Sequence, residues 1–291
     1  MNIYLLYALL PLIIFPLTGV IMAKVSREIG GIVTSLLRQL WLLVIGAPII
    51  FLIPNFVGNF SLYYKEIFAA WFFGSMYLFT VFKSCDYIEV IQWRVINVCS
   101  RVLFSIVIGL LIIGEYLSIW DVGGIAIILL WISLYLYIKN ENTLPKYNLT
   151  LWVSMSIIWW ILFVWSQYYF SVFAKEVHPV TAWYFLEIWS IPFLMILLLS
   201  TQWINSFKKL TSLTKQQYIY SFFGSAPVII GSYWLAVSYT NLDFILVNIL
   251  FCGTLIMAGV FWYVILWEKL TKLQIVIFTC ILIGLFIVNT Y

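Results

Sequence analysis

The sequence predicts an all-α integral membrane protein of about ten transmembrane helices, arranged as two inverted five-helix repeats. Hydrophobic residues make up 65% of the 291 residues and charged residues only 9%, whereas a soluble domain is about 25% charged. Apolar runs of about 20 residues, long enough to cross a hydrocarbon core, recur along the chain. Five such runs fall in each half, and an odd number turns the second copy upside down relative to the first.

Short polar connectors separate the apolar runs. The ten predicted spans are, in chain order, residues 3–23, 32–53, 66–82, 89–115, 122–138, 149–174, 179–201, 218–239, 244–267 and 273–289. A longer polar stretch, KNENTLPKYN at residues 139–148, lies near the middle of the chain. We therefore expect a first repeat at residues 1–138, a linker at 139–148 and a second repeat at 149–291.

Two segments of the first half have similar counterparts in the second. Residues 77–86 lead into the fourth span much as residues 233–243 lead into the ninth, and Glu115-Tyr-Leu-Ser corresponds to Glu268-Lys-Leu-Thr. Chance similarity between apolar segments is the alternative explanation. A true inverted repeat predicts alternating access, in which the two halves rock around a central site.

The fourth span carries two arginines within its apolar run. Arg94, Asn97 and Arg101 are spaced i, i+3 and i+7, so they share one face of a helix. An arginine near the bilayer centre costs from about 3 kcal/mol to more than 10 kcal/mol, depending on the measure. This face is therefore predicted to point toward protein or a watery cavity.

Two interpretations of the arginines stay open. They bind the carboxylate or phosphate of a substrate through forked hydrogen bonds, or they form an internal ion pair with Glu187 of the seventh span. Glu187 also suits proton coupling, because a desolvated carboxylate has a raised pKa, whereas pairing with Arg101 would lower it. If a substrate displaces Arg101 from the pair, the same residues couple proton and substrate movement.

Three further candidates line the predicted substrate path. Asn248 either contacts substrate or cross-links helices, and Trp183 and Tyr233 either stack on a ring or cation or simply pack. The four cysteines form no CxxC pair, and the chain has one histidine, His178. We accordingly predict no metal site, no cofactor and no catalytic residue, and the chain is not expected to be an enzyme.

Several short motifs resemble those of the EamA-type drug/metabolite transporter superfamily, over nearly the whole chain. They are Tyr-Leu-Phe-Thr-Val-Phe at 77–82, Ile-Gly-Glu-Tyr-Leu-Ser at 113–118, Val-Gly-Gly at 122–124, His-Pro-Val-Thr-Ala-Trp at 178–183 and Trp-Glu-Lys-Leu at 267–270. The second half departs from the pattern, since no glycine precedes Glu268. The resemblance implies ten helices, a central cavity lined mainly by the first four helices of each half, and transport of metabolites or drugs.

The function expected from these features is secondary transport of a small, anionic or zwitterionic metabolite or drug by alternating access. A lipid-linked sugar flippase of the same fold and a non-transporting membrane assembly subunit are the alternatives. The expected partners are a small-molecule substrate and membrane lipid, without nucleic acid; proton coupling and a homodimer stay open. The location expected is a bacterial or archaeal cell membrane.

Overall fold

A computed structural model describes residues 3–53, 55–84, 90–143, 149–187, 196, 208–266 and 271–290. Within these ranges the side chains of some residues, among them Arg94, Asn97 and Glu187, lie outside the description. The described residues are almost entirely helical and contain no strand. The prediction of an all-α protein is confirmed at this level.

The described residues form eleven α-helices, numbered in chain order. They are α1 (Ile3–Ile29), α2 (Gly31–Gly46), α3 (Phe56–Ser84), α4 (Val90–Ile108), α5 (Ile119–Thr143), α6 (Leu149–Glu176), α7 (Pro179–Glu187), α8 (Lys215–Asn241), α9 (Phe244–Leu250), α10 (Gly253–Leu266) and α11 (Lys272–Thr290). A 3-10 segment, Ala47–Leu52, follows α2, and a π-helical segment, Gly109–Ile113, continues α4.

Local sequence signals explain where several helices begin. Thr214 and Gln217 form a reciprocal capping box at the start of α8, with Gln217 N donating to Thr214 Oγ1 and Thr214 N to Gln217 Oε1. Thr271 and Gln274 repeat the arrangement at α11. Such a box satisfies backbone N–H groups that the first turn of a helix leaves without partners.

Three long antiparallel helix pairs organise the bundle. In the α3–α6 pair, Tyr63 contacts Phe173, whereas Tyr77, further along α3, contacts Trp160, earlier in α6. The α1–α8 pair and the α5–α11 pair run antiparallel in the same way, and glycines allow their close approach. Small residues at such contacts are typical of membrane helix packing.

Further pairings connect these three pairs. The remaining contacts between helices include α1 with α10, α4 with α6, α2 with α8, α3 with α7, and α4 with α9. Five buried hydrophobic clusters lie between the described helices, and the largest joins residues of α1, α3, α4 and α6–α9 with Phe251 between α9 and α10. The interior of the bundle therefore draws on both halves of the chain.

Some predicted boundaries differ from the structure. The predicted ninth span, 244–267, is interrupted at Phe251 and Cys252, where it separates into α9 and α10. Helix α3 begins at Phe56, ten residues before the predicted span, and α5 extends to Thr143, five residues into the predicted linker. The rest of the linker, residues 144–148, and the rest of the seventh span beyond Glu187, apart from residue 196, lie outside the described residues.

Three segments of the described residues are long and apolar enough to cross a membrane. They are Tyr7–Ser26, Lys215–Asn241 and Phe244–Ile265, with mean hydropathies of 2.1, 1.3 and 2.4. The third comprises α9 and α10 together. These segments fit the predicted membrane protein.

Candidate functional site

Arg101 lies midway along the continuous run formed by α4 and its π-helical extension, and it points into the bundle. The side chain is only 5% exposed. Val102 and Ser105 beside it are fully buried, whereas Leu103 on the opposite side of α4 is half exposed. The prediction that an arginine on this helix avoids lipid is therefore met at Arg101.

A neutral hydrogen-bond network holds the guanidinium. Arg101 Nε donates to Asn248 Oδ1 at 2.7 Å, and an Nη donates to the Tyr239 hydroxyl at 3.4 Å. That hydroxyl lies 3.3 Å from both Asn248 Oδ1 and Gln167 Oε1, and Asn248 Nδ2 donates to the Phe244 carbonyl at 2.8 Å. Four helices, α4, α6, α8 and α9, thus meet at one polar centre.

Two aromatic rings flank the same guanidinium. Its carbon lies 3.7 Å from the centroid of the Phe251 ring and 4.9 Å from that of Phe163. A cation at these distances is attracted by the ring quadrupole, by about 2 kcal/mol where the pair is desolvated. The interruption between α9 and α10 supplies Phe251, so the irregular backbone of the ninth span lies directly against Arg101.

The charge of Arg101 is not balanced by an acid within the described part of the chain. Its hydrogen-bond partners there are an amide and a phenol, both neutral, and no described carboxylate forms an ion pair with it. Burying a cation costs free energy unless a negative charge lies close to it, and the described residues supply no such charge at Arg101. An anionic group brought to this site would complete it.

A second polar contact fixes the helix that carries Asn248. The Glu115 carboxylate accepts hydrogen bonds from Phe244 N at 2.6 Å and Ile245 N at 2.8 Å, at the N-terminus of α9. Glu115 follows the π-helical end of α4, which closes at Gly114 in the left-handed conformation, φ 78°. Glu115 therefore caps a helix of the other half of the chain, at an N-terminus where a negative charge is favoured.

The remaining predicted site residues separate into two groups. Arg94, Asn97 and Glu187 lie on described helices, but their side chains are outside the described residues, so the pairing of Arg101 with Glu187 stays a prediction. Trp183 and Tyr233 are described and pack elsewhere. Trp183 is buried in a cluster with Ile53 and Tyr184, and Tyr233 packs edge to face on Trp234.

The sequence interpretation selected Arg101 and Asn248 but missed their neighbours. Gln167, Tyr239, Phe163 and Phe251 complete the centre. The available signal for Gln167 was an amide deep in an apolar span, which requires a hydrogen-bond partner. Tyr239 and the two phenylalanines carry no such signal in a chain that is 20% aromatic.

Comparisons with known proteins show the fold alone. No family model matches the chain, and no curated protein matches it in sequence. A crystal structure of another protein is similar with a TM-score of 0.76, over 99% of this chain and 97% of that chain, at 12% sequence identity. The architecture therefore occurs in a solved structure, and the resemblance to EamA-type transporters stays a prediction.

Proposed function

We propose that this protein is a secondary transporter that binds the anionic group of a small metabolite or drug at Arg101. The observation that carries the proposal is the guanidinium itself, 5% exposed and held by neutral Asn248 and Tyr239. No carboxylate among the described residues balances this buried cation, and a bound carboxylate or phosphate would stabilise it through charge-assisted hydrogen bonds.

Transport further requires that the site be reached from both sides, which an inverted repeat provides. We propose ten spans in two inverted halves, with α9 and α10 together forming the ninth. The helix pairings support this arrangement. If each helix is exchanged with its counterpart five spans away, the α1–α8 contact becomes α6–α3, α1–α10 becomes α6–α4, and α2–α8 becomes α7–α3, all of which occur.

Contacts between helix ends support the same threading. Glu115 meets the start of α9, and Glu28, at the end of α1, meets Gln217 at the start of α8. Ten spans that alternate in direction place the first contact at one membrane face and the second at the other. Single cysteines at exposed Tyr116 and Asn241 should then react with an impermeant thiol reagent from one side.

All four single cysteines are made in a chain whose native cysteines are replaced. The cysteines at Lys215 and Lys272 should react only from the opposite side. Labelling of all four positions from the same side would contradict the ten-span arrangement. Intact and opened vesicles provide the comparison, because every position should become accessible once the membrane is permeable.

Binding is tested by thermal stabilisation of the purified protein with a panel of small carboxylates, phosphates and amino acids, followed by uptake of the best stabilisers into proteoliposomes. A ligand at a hundred times its dissociation constant stabilises the folded state by about 2.7 kcal/mol. Arg101→Gln should abolish both the stabilisation and the uptake, whereas Lys65→Gln, at an exposed cation on α3, should preserve both.

Two outcomes would decide against the proposal. Uptake that persists in Arg101→Gln would remove Arg101 from the substrate site. Stabilisation by polyprenyl phosphates, without uptake of any soluble anion, would favour the flippase alternative, since an arginine also suits a lipid phosphate. Proton coupling is tested separately: Glu187→Gln should remove the pH dependence of uptake, and unchanged pH dependence would exclude Glu187 as the proton carrier.

A further inference from the structure

Helix α2 has one face outside the bundle and one face within it. Leu43 and Val44 are 39% and 64% exposed, whereas Ser35, Gln39 and Leu42, spaced i, i+4 and i+7, are almost completely buried. Because residues at these spacings share one side of a helix, Ser35 and Gln39 lie on the interior face. Neither residue belongs to the network around Arg101.

The polar atoms on this face are not satisfied within the described part of the chain. Ser35 Oγ and both Gln39 side-chain atoms, Oε1 and Nε2, are buried and have no hydrogen-bond partner. Each residue is 1% exposed. A buried polar group without a partner costs about 1–3 kcal/mol, so a complete amide and a hydroxyl in this state favour a ligand that supplies the missing bonds.

The neighbouring residue shows what a structural hydroxyl on the same helix looks like. Thr34 is also completely buried, but its Oγ1 donates to the Gly30 carbonyl one turn earlier, at 2.9 Å. Ser35 could serve its helix in the same manner and does not. The Thr34 hydroxyl therefore stabilises its own helix, whereas the Ser35 hydroxyl can form a hydrogen bond with another molecule.

We propose that Gln39, assisted by Ser35, binds a solute group that presents a hydrogen-bond donor beside an acceptor, as in a primary amide or the amide-like edge of a nucleobase. An amide side chain with both atoms open makes two parallel hydrogen bonds to such an edge, the geometry by which glutamine reads adenine. A carboxylate fits less well, since it offers acceptors only and leaves Gln39 Oε1 without a donor.

This site deepens the proposed function by adding a second binding point on the path of the transported solute, and in that respect it rests on that function. Near Gln39, Trp41 of α2 donates a hydrogen bond to Ser221 early in α8, whereas Tyr239 of the Arg101 network lies 18 residues further along α8, about 27 Å of helix, so the two sites would be occupied in turn. Binding by Gln39 itself is independent of transport and can be measured on the purified protein.

The first experiment needs no ligand. Gln39→Leu, which keeps the approximate size and removes the amide, should melt at the same temperature as the unmodified protein or above it, because the loss removes an unpaired polar group. Thr34→Val should melt below it, because a hydrogen bond is lost. A lower melting temperature for Gln39→Leu would mean that the amide supports the fold, and would overturn the proposal.

The second experiment measures binding of matched probe pairs that differ in one amide or amino group: L-glutamine against L-glutamate, nicotinamide against nicotinate, and adenine against unsubstituted purine. The amide or amino member of at least one pair should bind more tightly, and Gln39→Leu should weaken its binding at least about tenfold, because two hydrogen bonds are lost. Ser35→Ala should act in the same direction, and Thr34→Val should leave affinity unchanged. The pair that responds distinguishes an amide source from a nucleobase source.

Equal binding of both members of every pair, or absence of any binding to the amide members, would overturn the amide site. If a probe binds through Gln39 while no anion is taken up by proteoliposomes, the proposed transport fails and the site stands. If uptake of an anion depends on Arg101 and no probe binds through Gln39, transport stands and the site fails.

Discussion

Removing the Glu115 carboxylate should detach the N-terminus of α9 and with it the position of Asn248. Glu115 bonds Phe244 N at 2.6 Å and Ile245 N at 2.8 Å. A hydrogen bond to a charged group contributes about 1.5–3 kcal/mol. Because the Glu115 side chain is partly exposed, the lower value applies, and two such bonds give a loss of about 3 kcal/mol for Glu115→Ala.

The amide variant refines this estimate. Glu115→Gln keeps one acceptor oxygen and replaces the other by a donor that faces a backbone N–H, so about half of the stabilisation, about 1.5 kcal/mol, should be lost. The order of stability should therefore be glutamate, then glutamine, then alanine. The interaction of a negative charge with the helix N-terminus, about 0.3–1 kcal/mol, adds to the loss in both variants.

The assay is equilibrium unfolding in mixed micelles, with increasing SDS and the fluorescence of the 15 tryptophans as the signal. Glu176→Ala is the matched control, since this glutamate is exposed at the end of α6 and should change stability by less than about 0.5 kcal/mol. If Glu115→Ala is no less stable than Glu176→Ala, the two backbone contacts do not hold α9, and the reasoning fails.

Three further predictions concern close packing and the Arg101 network. Gly124→Ala should destabilise the protein by about 1–3 kcal/mol, because the added methyl would lie 2.7 Å from the Gly284 carbonyl oxygen. The adjacent Gly123 faces open space, so Gly123→Ala should increase the unfolding free energy by about 0.5–1 kcal/mol. Thermal unfolding of the two variants distinguishes these effects. Gly109→Ala places its methyl against the Ile245 side chain, so it should destabilise, and a second change, Ile245→Val, should recover part of the loss in a double-mutant cycle. Tyr239→Phe removes the hydroxyl shared by the network and should cost about 1 kcal/mol in unfolding free energy; an unchanged value would show that the hydroxyl contributes no net stability.

The sequence predicts helix existence well because apolar length and composition are local properties. Boundaries are weaker, as the region after residue 53 shows. Residues 55–61 lie between the predicted spans 32–53 and 66–82, and their glycine and asparagines favour turns. In the structure Asn55 alone takes a left-handed conformation, φ 48°, and α3 begins directly after it. Asparagine and glycine occur both in loops and in the first turn of a helix, so the sequence does not distinguish the two.

Two residues of the site could be predicted from the sequence, but their arrangement could not. Arg101 and Asn248 could each be selected, since a charge and an amide in an apolar span must find polar surroundings. Their meeting across 147 positions could not, because it depends on which faces of α4 and α9 are placed together. The interruption of the ninth span could not be predicted for a related reason: residues 244–267 are apolar apart from Asn248 and Thr254, and only Gly253, next to the interruption, indicates a break.

Helix α4 and the segment that continues it to Glu115 hold α9 at two places. Glu115 binds its first backbone N–H groups, and Arg101 binds Asn248 one turn later. A carboxylate that bound Arg101 through Nε and one Nη would displace Asn248, because Nε has a single hydrogen to donate. The capped end of α9 would stay fixed while its other end, at Phe251, is released. Substrate binding and helix position would then be linked through one hydrogen bond, with the Glu115 contact as the pivot.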